Sequence, residues 1–318
     1  MDIFTDLTSF NLAFPNPSTA VCIGNFDGMH RGHQQVVRAM VDEAKKLGLT
    51  AVALTFQSNT RRWKDTVCLL SSFDEKVAAV RSLGADALIT LPFPGYIAAQ
   101  TPQTFVKEIL LRRLGMKTCH VGQNFRFGKD RKGSVDFLIH YANKSGFKLS
   151  VSEMLLEEGE DISSTRIRKW VHLGKIMEVT SMLGRPFELE GLVVKGEGRG
   201  KKLGYPTANI LPLDSLKCIP ADGIYLTSAI WEKKGYFSLT HIGPQPTFKG
   251  MRPSIEVHIP DFDQILYQRN LKVLFLSRLR DVVAFKSVDE LKKQIIADIE
   301  QARAWVRKDP FIASFLHR

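Results

Sequence analysis

Short apolar runs alternate with stretches of helical periodicity over the first half of the chain. The apolar runs are rich in β-branched residues, and they predict strands at residues 20–23, 50–56, 87–91, 118–121 and 148–151. The stretches between them predict a helix that ends at Gly48 and further helices over residues 74–82, 102–114 and 134–144. Strands that alternate with helices favour a doubly wound α/β fold, in which helices cover both faces of a parallel sheet.

The pattern changes after a predicted helix over residues 176–183, which ends at Gly184. Beyond that glycine, apolar and polar residues alternate in short runs at residues 187–191, 224–230, 236–242, 255–259 and 271–276. Strands without intervening helices predict an antiparallel β-barrel, and residues 232–235 (EKKG) suit a hairpin within it. We therefore predict two domains, residues 1–184 and residues 185–318.

A terminal helix is predicted to follow the barrel. Ser287 and Glu290 have the spacing of a capping box. One apolar stripe along this helix should seal the barrel, and it consists of Leu291, Ile295, Ile299, Ala302 and Val306.

Composition and charge narrow the class of protein. The 318 residues are 44% hydrophobic and 24% charged, which is typical of a globular chain and excludes the disordered and collagenous classes. The net charge of +11 favours anionic substrates or partners, such as nucleotides, flavin phosphates or nucleic acids. The 4 cysteines are far apart and lack the spacing of a metal site. The sequence contains neither the pattern of a secretory signal nor an apolar run long enough to span a membrane. We expect a cytoplasmic protein without a membrane partner.

The candidate chemistry of the first half lies in residues 19–33, TAVCIGNFDGMHRGH. This segment joins a predicted strand to a predicted helix, and the free N–H groups at a helix N-terminus favour phosphate oxygens. His30 and His33 are three residues apart, so both imidazoles can donate to one phosphate. Because the segment contains no lysine or serine nucleophile, direct displacement at phosphorus fits it best. A metal-binding histidine pair is the alternative, although Cys22 is the only nearby thiol.

Two later segments of the first half could complete this site. Residues 122–128 (GQNFRFG) combine an amide, an arginine and two aromatic rings, which suit a flavin ring and its phosphate. Both phenylalanines could instead be core residues. Residues 162–168 (ISSTRIR) predict a helix N-cap that doubles as a second phosphate cradle, and a simple cap is the alternative.

The second half has its own candidate phosphate site. Residues 195–204 (KGEGRGKKLG) form a glycine-rich basic loop suited to a triphosphate, although they lack the signature of a P-loop. Thr207 and Asn209 follow on an extended segment, where their oxygens face the same side, as ligands of Mg²⁺ would. Glu256 alternates with apolar neighbours, a pattern that by itself is typical of a solvated strand face.

These segments together resemble one known family. GNFDGMHRGH at residues 24–33 resembles the GxFDGxHxGH signature of nucleotidylyltransferases, in the form used by bacterial bifunctional riboflavin kinase/FAD synthetases. ISSTRIR resembles the adenylyltransferase motif of that family, and GEGRGKKLGYPTANI at residues 196–210 resembles its riboflavin kinase signature. The resemblance implies that the barrel converts ATP and riboflavin to FMN and ADP. It also implies that the N-terminal domain converts ATP and FMN to FAD and diphosphate.

The resemblance also implies roles for individual residues. His30 and His33 would be catalytic in adenylylation, and Glu256 would be the base that deprotonates riboflavin. The implied ATP contacts of the first domain are Gly24, Phe26, Asp27, Gly32, Ser164, Thr165 and Arg166, and its implied flavin contacts are Asn124, Arg126 and Phe127. In the kinase domain the implied ATP contacts are Gly196, Gly198, Arg199, Gly200 and Lys202, the Mg²⁺ ligands are Thr207 and Asn209, and the flavin contacts are Arg280 and Phe285.

Two departures from the family pattern leave an alternative open. Residues 57–60 (QSNT) replace a Pro-His-Pro turn, and Asn124 stands where an Asp is usual. The alternative is a monofunctional riboflavin kinase whose N-terminal domain is impaired. A basic nucleic-acid-binding protein is a more distant alternative, because it leaves Glu256 and the histidine pair unexplained. We therefore expect small-molecule substrates and no nucleic-acid partner.

Overall fold

The computed structural model describes residues 1–58, 68–93, 99–196, 198–244 and 253–316. The chain divides by its internal contacts into two compact units, Met1–Ser164 and Thr165–Arg318. This division comes before the helix that we predicted at residues 176–183. The domain boundary at residue 184 therefore stays a prediction from the sequence, and each unit is described by itself below.

A six-stranded parallel sheet forms the centre of the first unit. Its strands are β1 (Asp2–Phe4), β2 (Thr19–Ile23), β3 (Thr50–Ser58), β4 (Ala87–Phe93), β5 (Met116–Gly122) and β6 (Lys148–Ser152). Their order is β1-β4-β3-β2-β5-β6, so the chain runs outward from β2 in both directions. The predicted parallel sheet is confirmed. In such sheets, ligands bind beyond the carboxyl ends of the strands where the order reverses, here between β2 and β5.

Helices cover both faces of this sheet, as predicted. They are α1 (Leu7–Ala13), α2 (Arg31–Leu47), α3 (Phe73–Ser82), α4 (Pro102–Thr104) with a π-helical continuation (Phe105–Arg113), and α5 (Val135–Ser145). Val36 and Met40 of α2 pack with Val80 of α3 on one face of the sheet. Phe10 and Phe105 belong to the core of the other face. A hairpin of β7 (Leu156–Glu157) and β8 (Glu160–Asp161), which the sequence patterns did not predict, follows β6.

Two helices precede the barrel. Helix α6 (Ser164–His172) starts at the last residue of the first unit, and α7 (Ile176–Leu183) packs against strands of the second unit. Helix α7 ends at Gly184, whose φ of 72° is the left-handed conformation that a C-terminal glycine adopts readily. The predicted stop at this residue is confirmed.

The second unit is a closed six-stranded antiparallel barrel. Its strands are β9 (Phe187–Val194), β10 (Ala208–Pro212), β11 (Gly223–Trp231), β12 (Lys234–Gly243), β13 (Ser254–His258) and β14 (Asn270–Arg280). Their order around the barrel is β10-β13-β12-β11-β14-β9. Glu232 and Lys233 form the predicted hairpin turn, and both have positive φ, as a two-residue turn between twisted strands requires. A short helix, α8 (Arg199–Leu203), interrupts the glycine-rich segment that we predicted to be a loop.

The terminal helix α9 (Val288–Lys308) is also confirmed, and α10 (Pro310–Ala313) follows it. The Ser287 hydroxyl accepts a hydrogen bond from the Glu290 N–H at 3.2 Å, as a capping residue does. Ala302 is fully buried in an apolar cluster with Leu226 and Leu276, and Ile299 and Val306 pack against the same cluster. These three residues of the predicted stripe therefore pack on the barrel wall. In the part of the chain that the structure describes, no helix has the length and hydropathy needed to cross a bilayer.

Candidate active sites

The paired histidines lie at the carboxyl end of β2, where the strand order reverses. His30 is the N-cap of α2, and its Nδ1 accepts a hydrogen bond from the His33 N–H at 3.3 Å. The two imidazole rings stack, with centroids 3.6 Å apart and an angle of 20° between their planes. The structure therefore brings both rings together at a helix N-terminus, where N–H groups favour anions.

His33 is held as a neutral ring. Burial lowers its pKa well below the usual range, and the nearby His30 and Lys76 lower it further. The edge of the Phe26 ring packs against His33 at a centroid distance of 5.5 Å. Among the residues that the structure describes, no hydrogen-bond partner is found for the buried Nδ1 of His33. A neutral imidazole has one N–H donor, so this ring can still donate to a phosphate.

Asp27 contacts the protein backbone in this structure. Its Oδ1 accepts hydrogen bonds from the N–H groups of Leu70 and Ser71 at 3.0 and 3.2 Å. The Ser71 hydroxyl accepts a hydrogen bond from the Gly28 N–H at 2.9 Å, and the Ser164 hydroxyl donates to the Asp27 carbonyl oxygen at 2.9 Å. Asp27 thus fixes the turn that carries the histidines, and its predicted contact with ATP stays a prediction.

Lys76 supports the turn of the candidate site, and the motifs did not reveal it. It lies on α3, is only 8% exposed, and its Nζ donates to the Asn25 carbonyl oxygen at 2.8 Å. Burial lowers its pKa, and Asp27 opposes that shift. The sequence did contain one signal, because Lys76 lies beside Val77 and four residues before Val80 in a predicted helix whose apolar side should face the core.

A cavity of about 410 Å³ opens in front of the histidines. Eight of the residues predicted for the first site line it, namely Gly24, Phe26, His30, Gly32, His33, Asn124, Arg126 and Ser164. The described lining does not include Asp27 or Phe127. Thr165 and Arg166 lie on the first turn of α6 and belong by contacts to the second unit.

Phe127 is part of the protein core. It is 6% exposed and packs against Phe105 at a centroid distance of 5.5 Å. Its ring also stacks on Phe125 with centroids 5.4 Å apart, and it is Phe125 that lines the cavity. A Cβ on Gly133 would lie 2.6 Å from the Phe127 ring, so this glycine provides the space that the ring occupies. The core alternative therefore describes Phe127, and Phe125 presents a ring to the cavity.

The second candidate site lies on the outer face of the barrel. Glu256 on β13 accepts hydrogen bonds from the hydroxyls of Thr207 and Ser254, both at 3.2 Å. Asn209 on β10 is the cross-strand partner of Glu256. The structure thus brings the two predicted metal ligands and the predicted base together.

Close backbone approach shapes the glycine-rich segment beside this cluster. A Cβ on Gly196 would overlap the amide of Asn209, and one on Gly200 would overlap the Tyr205 carbonyl oxygen. Gly198 precedes α8 with a φ of 70°, and Arg199 is the first residue of that helix. The side chain of Lys202 lies outside the described structure.

Arg280 is anchored to the terminal helix. Its Nε donates to Oδ1 of Asp298 at 2.8 Å, and its Nη2 donates to Oδ2 of the same carboxylate at 2.7 Å. Asp298 is 3% exposed, and the Phe285 ring lies 5.9 Å from the guanidinium. The pair joins β14 to α9, and the predicted flavin contacts of Arg280 and Phe285 stay predictions. Asn59 and Thr60 of the altered turn lie outside the described residues, as do the side chains of Gln57 and Ser58.

Comparisons with known proteins find matches to both halves of the chain. A family model described as FAD synthetase matches residues 14–166, and one described as riboflavin kinase matches residues 183–306. The bifunctional riboflavin kinase/FMN adenylyltransferase of Escherichia coli (strain K12) is 32% identical over 91% of this chain and 93% of its own length. The protein with the same description from Bacillus subtilis (strain 168) is 30% identical over 89% of this chain and 91% of its own.

A solved structure extends the likeness to the fold. It is described as a macrolide-efflux protein from Streptococcus pneumoniae, is 32% identical, and has a TM-score of 0.83 over 91% of this chain and 95% of its own. The two family matches and the curated relatives cover both halves of the chain. The chain therefore belongs to the family of bifunctional riboflavin kinase/FMN adenylyltransferases, enzymes that form FMN from riboflavin and ATP and then FAD from FMN and ATP.

Proposed function

We propose that each candidate site performs one of the two reactions. The histidine pair of the first unit would transfer the adenylyl group, and the Thr207, Asn209 and Glu256 cluster would transfer the γ-phosphoryl group. The observation that carries this proposal is the contact of Glu256 with Thr207, because it joins a base and an oxygen ligand beside a glycine-rich segment. The stacked rings of His30 and His33 at a helix N-terminus support the first assignment.

In adenylylation, a phosphate oxygen of FMN attacks the α-phosphorus of ATP, and the bond from that phosphorus to the bridging oxygen of diphosphate breaks. Negative charge builds up on the phosphate oxygens during this exchange. The N–H groups of α2 and the two imidazoles would stabilise that charge, and Ser164 would contact the leaving diphosphate. Asn124, Arg126 and the Phe125 ring would hold FMN in the cavity.

In phosphorylation, the terminal ribityl hydroxyl of riboflavin gives its proton to Glu256 as its oxygen attacks the γ-phosphorus. The bond between that phosphorus and the bridging oxygen breaks, and ADP leaves. The oxygen donors of Thr207 and Asn209, gathered beside Glu256, fit Mg²⁺, which prefers oxygen ligands and commonly binds few protein groups together with phosphates. Bound there, Mg²⁺ would neutralise charge on the triphosphate.

The positive net charge of +11 fits phosphate-bearing substrates. We propose that it serves ATP and FMN and does not serve a nucleic acid, in a cytoplasmic enzyme. Weak RNA or DNA binding that leaves both reaction rates unchanged at moderate salt would agree with this proposal, whereas tight sequence-selective binding would contradict it.

A product assay on the full chain tests the division of labour. Purified protein receives riboflavin, excess ATP and Mg²⁺, and riboflavin, FMN and FAD are separated over time. We expect His33→Ala to accumulate FMN without forming FAD. We expect Glu256→Gln to form no FMN but to convert supplied FMN to FAD. Equal damage to both reactions by either substitution would contradict the assignment.

A further inference from the structure

One row of side chains crosses the outer face of the barrel. Strand register pairs Asn209 with Glu256, Glu256 with His241, His241 with Ile224, and Ile224 with Arg280. Adjacent strands are ~4.8 Å apart, so each step along the row has that length. The row therefore leads from the proposed metal ligand and base to the proposed flavin contact. His241 is the polar residue between them, and none of the motifs assigned it a role.

His241 points out of the barrel beside Glu256. Its neighbours Thr240 and Ile242 are fully buried, and side chains alternate between the two faces of a strand. Directly opposed residues on one face have Cβ atoms roughly 5 Å apart, which lets the imidazole reach the carboxylate. A Cβ on Gly243 would lie 2.7 Å from Nε2 of His241, so the ring lies over this glycine. The absence of a side chain at residue 243 thus leaves the space that the imidazole occupies.

Burial keeps the His241 ring neutral. Burial lowers its pKa and Arg280 lowers it further, while Glu256 and Asp222 oppose the shift. A neutral imidazole has one donor and one acceptor nitrogen. An ionised Glu256 only accepts hydrogen bonds, and Arg280 only donates them. Between Glu256 and Arg280, His241 is therefore the member of the row that can both give a hydrogen bond to a hydroxyl and take one from it.

We propose that His241 determines acceptor specificity in the kinase reaction, by hydrogen-bonding a secondary hydroxyl of the ribityl chain and thereby positioning the terminal hydroxyl at Glu256. This inference rests on the proposed roles of Glu256 and Arg280. A riboflavin whose ring lies at Arg280 and whose terminal hydroxyl lies at Glu256 must extend its polyol chain across His241 and Ile224. Secondary hydroxyls need partners along that path, and His241 is the polar side chain of the row available there.

The test compares acceptors on the full chain. Initial rates of phosphorylation are measured with riboflavin and with analogues that each lack one secondary ribityl hydroxyl, for the original protein, His241→Ala and His241→Asn. We expect His241→Ala to lower kcat/KM for riboflavin by roughly 3- to 10-fold, the size of one neutral hydrogen bond, with KM for ATP unchanged. For one analogue, we expect kcat/KM to be lower than for riboflavin in the original protein. In His241→Ala, kcat/KM for this analogue and for riboflavin should be equal. Asparagine, which also donates and accepts, should restore most of the discrimination.

Conversion of supplied FMN to FAD, which takes place in the first unit under the proposed division, controls for protein concentration, and the unchanged KM for ATP controls for folding of the barrel. A His241→Ala protein that still discriminates against every analogue as the original does would overturn the inference. An equal loss for all acceptors combined with a raised KM for ATP would overturn it too. Glu256→Gln separates the two proposals: if it retained FMN formation, the assignment of the base would fail. The rates with the ribityl analogues would still show whether His241 discriminates between acceptors.

Discussion

The two candidate phosphate sites of this chain are built in different ways. In the first unit the candidate site lies where a strand passes into a helix. Its two histidine rings stack, His30 is buried, and the buried Lys76 donates a hydrogen bond to the Asn25 carbonyl oxygen of the turn. In the second unit the site lies on the outer face of a barrel, where strand register sets the spacing of Asn209, Glu256 and His241. The first site therefore depends on buried charge and packing, and the second depends on backbone register and on glycines that leave space.

This difference predicts which substitutions damage which reaction. A substitution that removes a buried charge should affect FAD formation. A substitution that adds a side chain to a closely packed glycine should affect FMN formation. Either reaction can be measured alone in the same protein, because FMN can be supplied directly. Each prediction below therefore has an internal control.

The largest effect is expected from Gly196→Ala. The new Cβ would overlap the Asn209 amide and displace a proposed metal ligand, and displacement by about 1 Å can lower a rate by ~10²-fold. We expect FMN formation to fall by about that factor, while conversion of supplied FMN to FAD is unchanged.

Gly198→Ala is the matched control for this substitution, since nothing lies within 4 Å of a Cβ there. Its positive φ of 70° predicts a strain cost of roughly 1 kcal/mol and a smaller loss of activity. If the two variants lost activity equally, contact with Asn209 would not be the cause.

Lys76→Met is expected to have a smaller effect, in the other reaction. The substitution keeps the length of the side chain but removes the charge and the hydrogen bond to the Asn25 carbonyl oxygen. We expect FAD formation to fall about tenfold, since hydrogen bonds to charged groups contribute ~1.5–3 kcal/mol. Because Lys76 lowers the pKa of His33, that pKa should rise in the variant, and NMR titration of the His33 ring measures it.

Lys45→Met provides the comparison, because Lys45 is exposed on α2. It should leave both FAD formation and the His33 titration as they were. An active Lys76→Met protein with an unchanged His33 titration would show that the buried lysine plays no part in the site.

The smallest effect concerns stability in acid. Burial lowers the pKa of His120 to about 4. At pH 5 the imidazole is therefore neutral in the folded protein and protonated in the unfolded chain. When a histidine has a lower pKa in the folded protein than in the unfolded chain, the free energy of unfolding starts to decrease as the pH falls below the unfolded-state pKa of ~6.5. It keeps decreasing until the pH reaches the folded-state pKa. We expect the urea midpoint of the first unit to fall between pH 7 and pH 5, and His120→Asn to reduce that slope.

His140→Asn is the matched control, as His140 is exposed on α5. It should leave the slope as it is. The barrel offers a contrast, because Thr227 there is hydrogen-bonded in the core to the hydroxyls of Ser238 and Thr240, both at 2.8 Å, and hydroxyls do not titrate in this range. A slope of equal size in the His120→Asn protein would mean that other groups cause the acid sensitivity.

Periodicity predicted most of the fold because each element has a local cause. The run at residues 20–23 became the fully buried strand β2, and the turn at Glu232 and Lys233 was marked by its position between two alternating runs. Elements with weak local signals were missed, such as the three-residue β1 and the short helix α8. The division by contacts after Ser164 had no local signal, because helix packing partners are chosen by distant residues.

The same limit explains the sites. Thr207 and Asn209 were placed together correctly because their spacing on an extended segment decides which way they face. It could not be predicted that Phe125 lines the cavity while Phe127 is buried in the core, since alternate residues of an irregular loop have no fixed faces. Asp298, the partner of Arg280, also could not be predicted, because an ion pair between a strand and a distant helix leaves no mark in the spacing of either.

The packing of α7 affects where a separately expressed kinase fragment should begin. Ile176, Val179, Met182 and Leu183 of this helix are buried, and the helix lies against β9 and β14 of the barrel. A protein fragment that begins at residue 185 would therefore lack α7, and the apolar surface of the barrel that α7 buries would be exposed and prone to aggregation. A fragment that begins at residue 165 would carry α7 with it, so the unit that can be moved between proteins is longer than the sequence that performs the phosphorylation.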